Sequence, residues 1–437
     1  METLDALHSG QLKGAKRLDL AAGLTQFPLK ILELASLEIL NLSDNHLKSL
    51  PDEFGCLQQL RIAFFNNNSF EELPDVLSKC PKLYMVGFKS NKLTAIAENA
   101  LPSSVRWLIL TNNRLRQVPA SLGRLSQLQK LMLAGNQLSS LPEEMVACQK
   151  LELIRLAANR LTTLPPWLLT LPRLSWLGFA GNPFCESIST PQSLAEIDWA
   201  DLTIQERLGE GASGTIYKGS WAVGTNPSVD VAIKVFKGNV TSDGFPIDEM
   251  RACMAAGTHP HLVSLLGRVS NHPQKAGLVF AFVPPTYPTL GNPPTLDTCT
   301  RDTYPPHTNF SLSVILRIAQ GIAAAAAHLH ARGILHGDLY AHNILVNCLG
   351  ESLLGDFGAA SFYPTHIPSI ASSLECLEVR AFGCLLEDLL ERCTLDDFLA
   401  QTECRDRLCR LQQDCMNPVP SKRPPFTKIC DVLASLA

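Results

Sequence analysis

VDVAIKVF, residues 229–236, sets a single lysine inside an apolar, β-branched stretch. That composition reads as a strand, which places the Lys234 ammonium in a buried setting. A buried cation is costly unless an opposite charge meets it. Glu249, in the helical stretch FPIDEMRACMAAG (245–257), can supply that charge. Just upstream, LGEGASGTIYKG (208–219) spaces Gly209, Gly211 and Gly214 as G-x-G-x-x-G between two strand-like pieces. Glycines let a backbone approach phosphates without a Cβ in the way, but the pattern alone also fits a dinucleotide fingerprint. The strand decides between them. A dinucleotide unit would enter a helix here, whereas VDVAIKVF continues a β-hairpin around the glycine loop.

Further along, HGDLYAHN (336–343) holds Asp338 and Asn343 five positions apart after a long apolar helical stretch, and DFG follows at 356–358. Taken in order, glycine loop, Lys234, Glu249, Asp338, Asn343 and Asp356 resemble the motif set of protein kinases. The resemblance implies an α+β two-lobed protein kinase fold over 201–437 and ATP- and magnesium-dependent phosphoryl transfer, with serine or threonine hydroxyls as the expected acceptors. It implies Asp338 as the catalytic residue that orients the acceptor hydroxyl and takes its proton, and Asn343 and Asp356 as the Mg ligands. The implied ATP-binding set is Leu208, Gly209, Glu210, Gly211, Ala212, Ser213, Gly214, Thr215, Ile216, Lys234, Glu249, Ala281 and Val283. In GLVFAFV (277–283), Phe280 corresponds to the position that controls the pocket behind adenine, and a proline-rich insert, 284–309, follows it.

Several positions depart from the family pattern. Gly337 stands where many kinases carry an arginine that answers a phosphate on the activation loop, so such activation loses its usual receiver. Glu378 in LEVRAFG (377–383) follows Asp356 by only 22 positions, and no A-P-E lies between them. Arg423, similar to the arginine that pairs with that glutamate, is expected to lack its partner. Hydroxyls in the short segment are Ser361, Thr365, Ser369, Ser372 and Ser373. Tyr340 and His342 match neither the serine/threonine nor the tyrosine class cleanly. The alternative reading is a nucleotide-binding pseudokinase scaffold.

A second pattern fills the first half of the chain. LEILNLSDNHL (37–47) aligns with LRIAFFNNNSF, LYMVGFKSNKL, VRWLILTNNRL, LQKLMLAGNQL, LELIRLAANRL and LSWLGFAGNPF, and their asparagines at 45, 68, 91, 113, 136, 159 and 182 recur every 22 or 23 residues. This resembles leucine-rich repeats. With RLDLAAGLTQFP (17–28) as an atypical first unit, it implies an α/β solenoid of about eight repeats over 1–185, a linker or cap at 186–200, and the kinase domain after it. Alternation turns Leu40 and Leu42 inward, and Asn45 can bond backbone left unpaired where the chain turns away. Prolines 51, 74, 119, 142 and 165 open the return segments, while Cys80 and Cys148 occupy core positions. Ile39, Ile62, Phe64, Met85, Trp107, Ile109, Met132, Leu153 and Trp176 are expected on the concave face. Phe64, Trp107 and Trp176 mark it as the docking surface for a protein substrate or regulator.

The net charge of −4 and pI near 6.3 argue against nucleic-acid or membrane partners. The first twenty residues lack the cationic start and apolar run of a signal peptide, and no stretch reads as about 18 apolar residues. A cytoplasmic protein is expected, its 14 cysteines mostly buried, reduced thiols.

Overall fold

The computed structural model describes all residues except 1, 186–194, 212, 223, 225, 226, 238, 239, 395–401 and 437. Two compact units result: Met1–Leu174 with Asn182–Phe184, and Ser175–Gly181 with Cys185–Ala437.

In the first unit, short strands pair in parallel and in register, from Arg17–Asp19 through Ile39–Asn41, Ile62–Phe64, Met85–Gly87, Trp107–Ile109 and Lys130–Met132 to Leu153–Arg155. Five return segments are single 3-10 turns with Pro51, Pro74, Pro119, Pro142 and Pro165 at their N-caps. Proline fits there because its missing N–H would have had no partner inside the turn.

The asparagines join neighbouring repeats. Asn136 Nδ2 donates to Leu110 O at 3.0 Å and Leu133 O at 2.9 Å, while its Oδ1 accepts from Leu115 N at 3.1 Å. Asn159 and Asn182 repeat the arrangement one and two units on. Buried backbone groups are thereby satisfied at every turn of the solenoid. Cys80 and Cys148 are fully buried, as expected of core fillers, and burial pushes both thiols up to about 11.

Trp176–Gly178, by sequence the last repeat strand, is the last strand of the eight-stranded repeat sheet, and residues 175–181 are grouped with the second unit. Trp176 is 1% exposed, and Leu177 and Phe179 are fully buried. Within the expected linker, Glu196–Asp198 is a strand that pairs in parallel with Leu265–Ser270. It forms one edge of a six-stranded sheet that continues through Gly277–Ala281, Val229–Phe236 and Gly214–Trp221 to Leu202–Glu210. Ile197, Val231, Ile233 and Val279 fill the core beneath this sheet.

Helix α1 (Glu2–His8) lies in the first unit. The second holds α2 (Pro246–Ala256), α3 (Leu312–His330), α4 (Pro368–Leu390), α5 (Thr402–Cys415) and α6 (Phe426–Ala434). By length and mean hydropathy α3 is long and apolar enough to cross a membrane, although Arg317, Gln320, His328 and His330 interrupt its apolar residues. It is nonetheless largely buried inside the lobe, where its run of alanines allows close packing.

Candidate active site

Val229–Phe236 is a central strand, antiparallel to Gly214–Trp221 on one side and to Gly277–Ala281 on the other. The hairpin around the glycine loop is therefore present. Gly209 and Gly211 border open space, whereas a Cβ on Gly214 would lie 2.6 Å from Val235 O. Glu210 is held by Lys237 and Arg207, and Ser213 O accepts from Lys237 N at 2.9 Å. Leu208 is exposed near the tip, and Thr215 and Ile216 run into the strand facing Val235 and Lys234. Ala212 lies outside the described residues. At the hinge, the Ala281 amide donates to Ser264 O, and Phe282, beside Val283, lies under the Lys218 ammonium.

Lys234 and Glu249 form a buried ion pair, with side chains 9% and 3% exposed, and Lys234 Nζ lies 3.7 Å from Asp356 Oδ1. Burial acts to lower the lysine, but the two carboxylates outweigh it and raise its pKa. Burial pushes Glu249 up despite Lys234. For Asp356, burial acts upward too, yet Lys234 and the Gly358 amide hold it below the usual aspartate range. Asp356 sits at φ +54°, a left-handed conformation that a non-glycine residue adopts at a cost. Phe357 meanwhile packs against the His336 ring.

The catalytic loop is cross-braced. Asn343 Nδ2 donates to Asp338 Oδ2 and to Asp338 O, both at 2.9 Å. His336 Nε2 donates to Gly355 O at 2.9 Å and its Nδ1 accepts from the Asp338 amide, which defines one tautomer. From α4, the buried Glu378 carboxylate accepts the His336 and Gly337 amides at 3.2 and 2.7 Å. His330 Nε2 lies 2.8 Å from the same carboxylate. Burial acts to raise Glu378, but these partners hold it below the glutamate range. His342 Nδ1 meets Asp302 Oδ1 of the proline-rich insert at 2.7 Å, and its amide donates to Asp302 Oδ2.

Gly337 now has a physical reason. It sits at φ +72°, and a Cβ there would lie 2.6 Å from Leu177 O and 2.8 Å from Ala359 O. An arginine has no room. Ser361, one of the hydroxyls considered for modification, is fully buried with its Oγ bonded to Phe179 N and Ala359 O. Arg423, expected to be unpartnered, is buried and donates to Cys376 O and Asn417 O. The expected concave row is also less open than its composition implies. Trp176 and Met132 are buried and Ile62, Met85 and Leu153 are at most 3% exposed, leaving Ile39, Phe64, Trp107 and Ile109 half-buried.

A family model described as protein tyrosine and serine/threonine kinase matches residues 202–368. Leucine-rich repeat models match 36–57, 103–161 and 126–184. This chain carries leucine-rich repeats followed by a protein kinase domain.

A probable serine/threonine-protein kinase of Dictyostelium discoideum is 30% identical over 36% of this chain and 8% of its own length. A second from that organism is 27% identical over 55% of this chain and 16% of its own. The tyrosine-protein kinase transforming protein Abl of Abelson murine leukemia virus is 28% identical over 54% of this chain and 34% of its own. The chain thus spans well under two thirds of these relatives. A kinase domain uses ATP and a divalent cation, and the residues present suit both. With Asn343 Nδ2 committed to Asp338, its Oδ1 and the half-exposed Asp356 carboxylate offer hard oxygen donors, to be completed by phosphate oxygens and water. Trp176 and Asp302 had no motif to flag them. Trp176 read as part of a docking surface on the concave face, and Asp302 lay in an insert read only as non-helical.

Proposed function

We propose that the kinase domain is an active phosphotransferase that moves the γ-phosphoryl group of ATP to a protein serine or threonine hydroxyl. The observation that carries this reading is the closed Lys234–Glu249 pair with Asp356 beside it, in the same unit as the Asp338–Asn343 hydrogen bond. Those groups divide the chemistry between them. Lys234 neutralises phosphate charge, Glu249 fixes Lys234, and Asp338, oriented by Asn343, receives the hydroxyl proton. Magnesium held by Asn343 and Asp356 would screen the charge that develops on the transferring group. The short segment of residues 359–367 between DFG and α4 favours a second reading, a nucleotide-binding scaffold without turnover.

Phe64 and Trp107 support a recruitment role for the repeats toward a protein substrate or regulator. Phe64 lies over Gly87 and Trp107 under the Lys130 ammonium, both half-buried. The 14 cysteines, all without a disulfide, support a reducing, cytoplasmic setting.

Labelled ATP with magnesium separates the readings. Phosphate should pass to protein with the wild type and fall by about 10²–10⁴-fold in Asp338→Asn. ATP should still raise the Tm of that variant but not of Lys234→Met. A wild type that gains Tm with ATP yet transfers nothing is the scaffold.

A further inference from the structure

The strand that follows Leu174 touches the catalytic loop at every level. Trp176 Nε1 donates to Leu339 O at 3.1 Å, one residue after Asp338. Its indole stacks on the Tyr340 ring, centroids 4.3 Å apart and planes 7° from parallel. Tyr340 is the N-cap of the 3-10 turn Ala341–Asn343 that presents Asn343. Leu177 O occupies the space a Cβ on Gly337 would need. Phe179 N donates to Ser361 Oγ at 2.9 Å, and Ser361 lies on a strand paired with Ile334–Leu335, the residues leading into the loop. Ser175 Oγ accepts from Arg380 of α4 at 2.7 Å. Trp176 also lines, with Arg301, Asp302, Leu339 and Tyr340, a crevice whose free volume is about 10 Å³. No space remains in it for a separate ligand. The contacts are those of a fixed support.

We propose that residues 175–179 are a built-in brace of the phosphotransfer site, with Trp176 the positioning residue that holds the Leu339–Tyr340 turn and thereby Asp338 and Asn343. The brace makes a phosphate on the segment after DFG unnecessary. That segment is short, its Ser361 is buried as a partner of the brace, and a side chain at 337 that could answer a phosphate is excluded by the brace itself. The inference rests on reading this domain as an active kinase. It differs from self-restraint in sign: a brace raises turnover and a plug lowers it.

The test uses the full chain as wild type, Trp176→Phe and Trp176→Ala. Trp176→Phe keeps a ring against Tyr340 but loses the hydrogen bond to Leu339 O, so kcat should fall by about 2- to 10-fold. Trp176→Ala frees the turn and should cost about 100-fold, the scale of a misplacement near 1 Å. In both, the KM for ATP and the Tm gained with ATP should stay at wild-type values, because Lys234 and Glu249 are untouched. Amide hydrogen exchange across 336–343 should quicken in the same order, and this readout requires no turnover.

Exchange at the wild-type rate in both variants overturns the brace, and so does a rise in kcat. If Trp176→Ala does not fold, Trp176→Phe decides by the same readings. A wild type that transfers no phosphate defeats the kinase reading alone. Exchange across 336–343 then still decides whether Trp176 holds the loop.

Discussion

The asparagine ladder and the catalytic loop solve one problem, buried backbone that needs partners, with supports drawn from very different distances along the chain. Asn136 reaches groups 3, 21 and 26 residues away. The catalytic loop and its flanks are held by Glu378 at 41 and 42 residues, by Trp176 at 163, and by Phe179, through Ser361, at 182. Support that recurs within one repeat is written as a period, while support closed over more than a hundred residues leaves no local trace. The difference predicts how each region fails. Damage to the ladder should unzip neighbours, whereas damage to a loop support should act on turnover before stability.

Removing one rung is the strongest way to break the comparison. Asn136→Ala strands Leu115 N in the core at about 1–3 kcal/mol, and Leu110 O and Leu133 O, which keep the Asn113 and Asn159 amides, each lose a second hydrogen bond at about 0.5–1.5 kcal/mol, so the loss should be about 3 kcal/mol. Urea titration of the full chain checks this. A loss below about 1 kcal/mol would mean that water or relaxation replaces the rung.

Gly337→Ala sharpens the other side. The left-handed conformation costs a non-glycine residue about 1–3 kcal/mol, to which the approach of Leu177 O and Ala359 O adds. Stability should therefore fall by about 2–3 kcal/mol, and kcat should fall further than stability alone explains, because Asp338 is the next residue. Full turnover at unchanged Tm would show that the Leu177 carbonyl yields easily.

The smallest effect is one of pH. Burial acts to lower His342, but Asp302, followed by Asp338 and Asp356, outweighs it and leaves the imidazole raised above 6.5. A raised histidine stabilises the fold fully below its unfolded pKa and loses that contribution as pH climbs through the folded one. The Tm advantage of wild type over Asp302→Asn should thus be greatest in mild acid and shrink as pH rises past 6.5. A difference independent of pH would show that the pair acts only as a neutral hydrogen bond.

Much of this protein was legible in residue order. The 22- to 23-residue spacing identified the solenoid, the prolines marked its turns, and Cys80 and Cys148 followed as core. Lys234 was legible because an ammonium on an apolar strand requires a counter-charge, and Glu249 was the one in reach. Other features were not. Arg423 was expected to want a glutamate and instead donates to two carbonyls, a substitution any backbone can make. Trp176 occupied a regular repeat position, so periodicity assigned it to an open face.

By itself the sequence determined the two architectures and the pairing of Lys234 with Glu249, because periodic burial and buried charge both constrain which residues can stand where, while Asp338, Asn343 and Asp356 were read from their resemblance to a motif set. Tertiary structure alone decided why residue 337 is glycine and what Trp176 holds. Those answers depend on a carbonyl, a ring and a hydroxyl brought together from positions 160 (Leu177 to Gly337) to 182 residues apart. Loop closure over such lengths costs nearly the same for many pairings, so only the packed fold selects one.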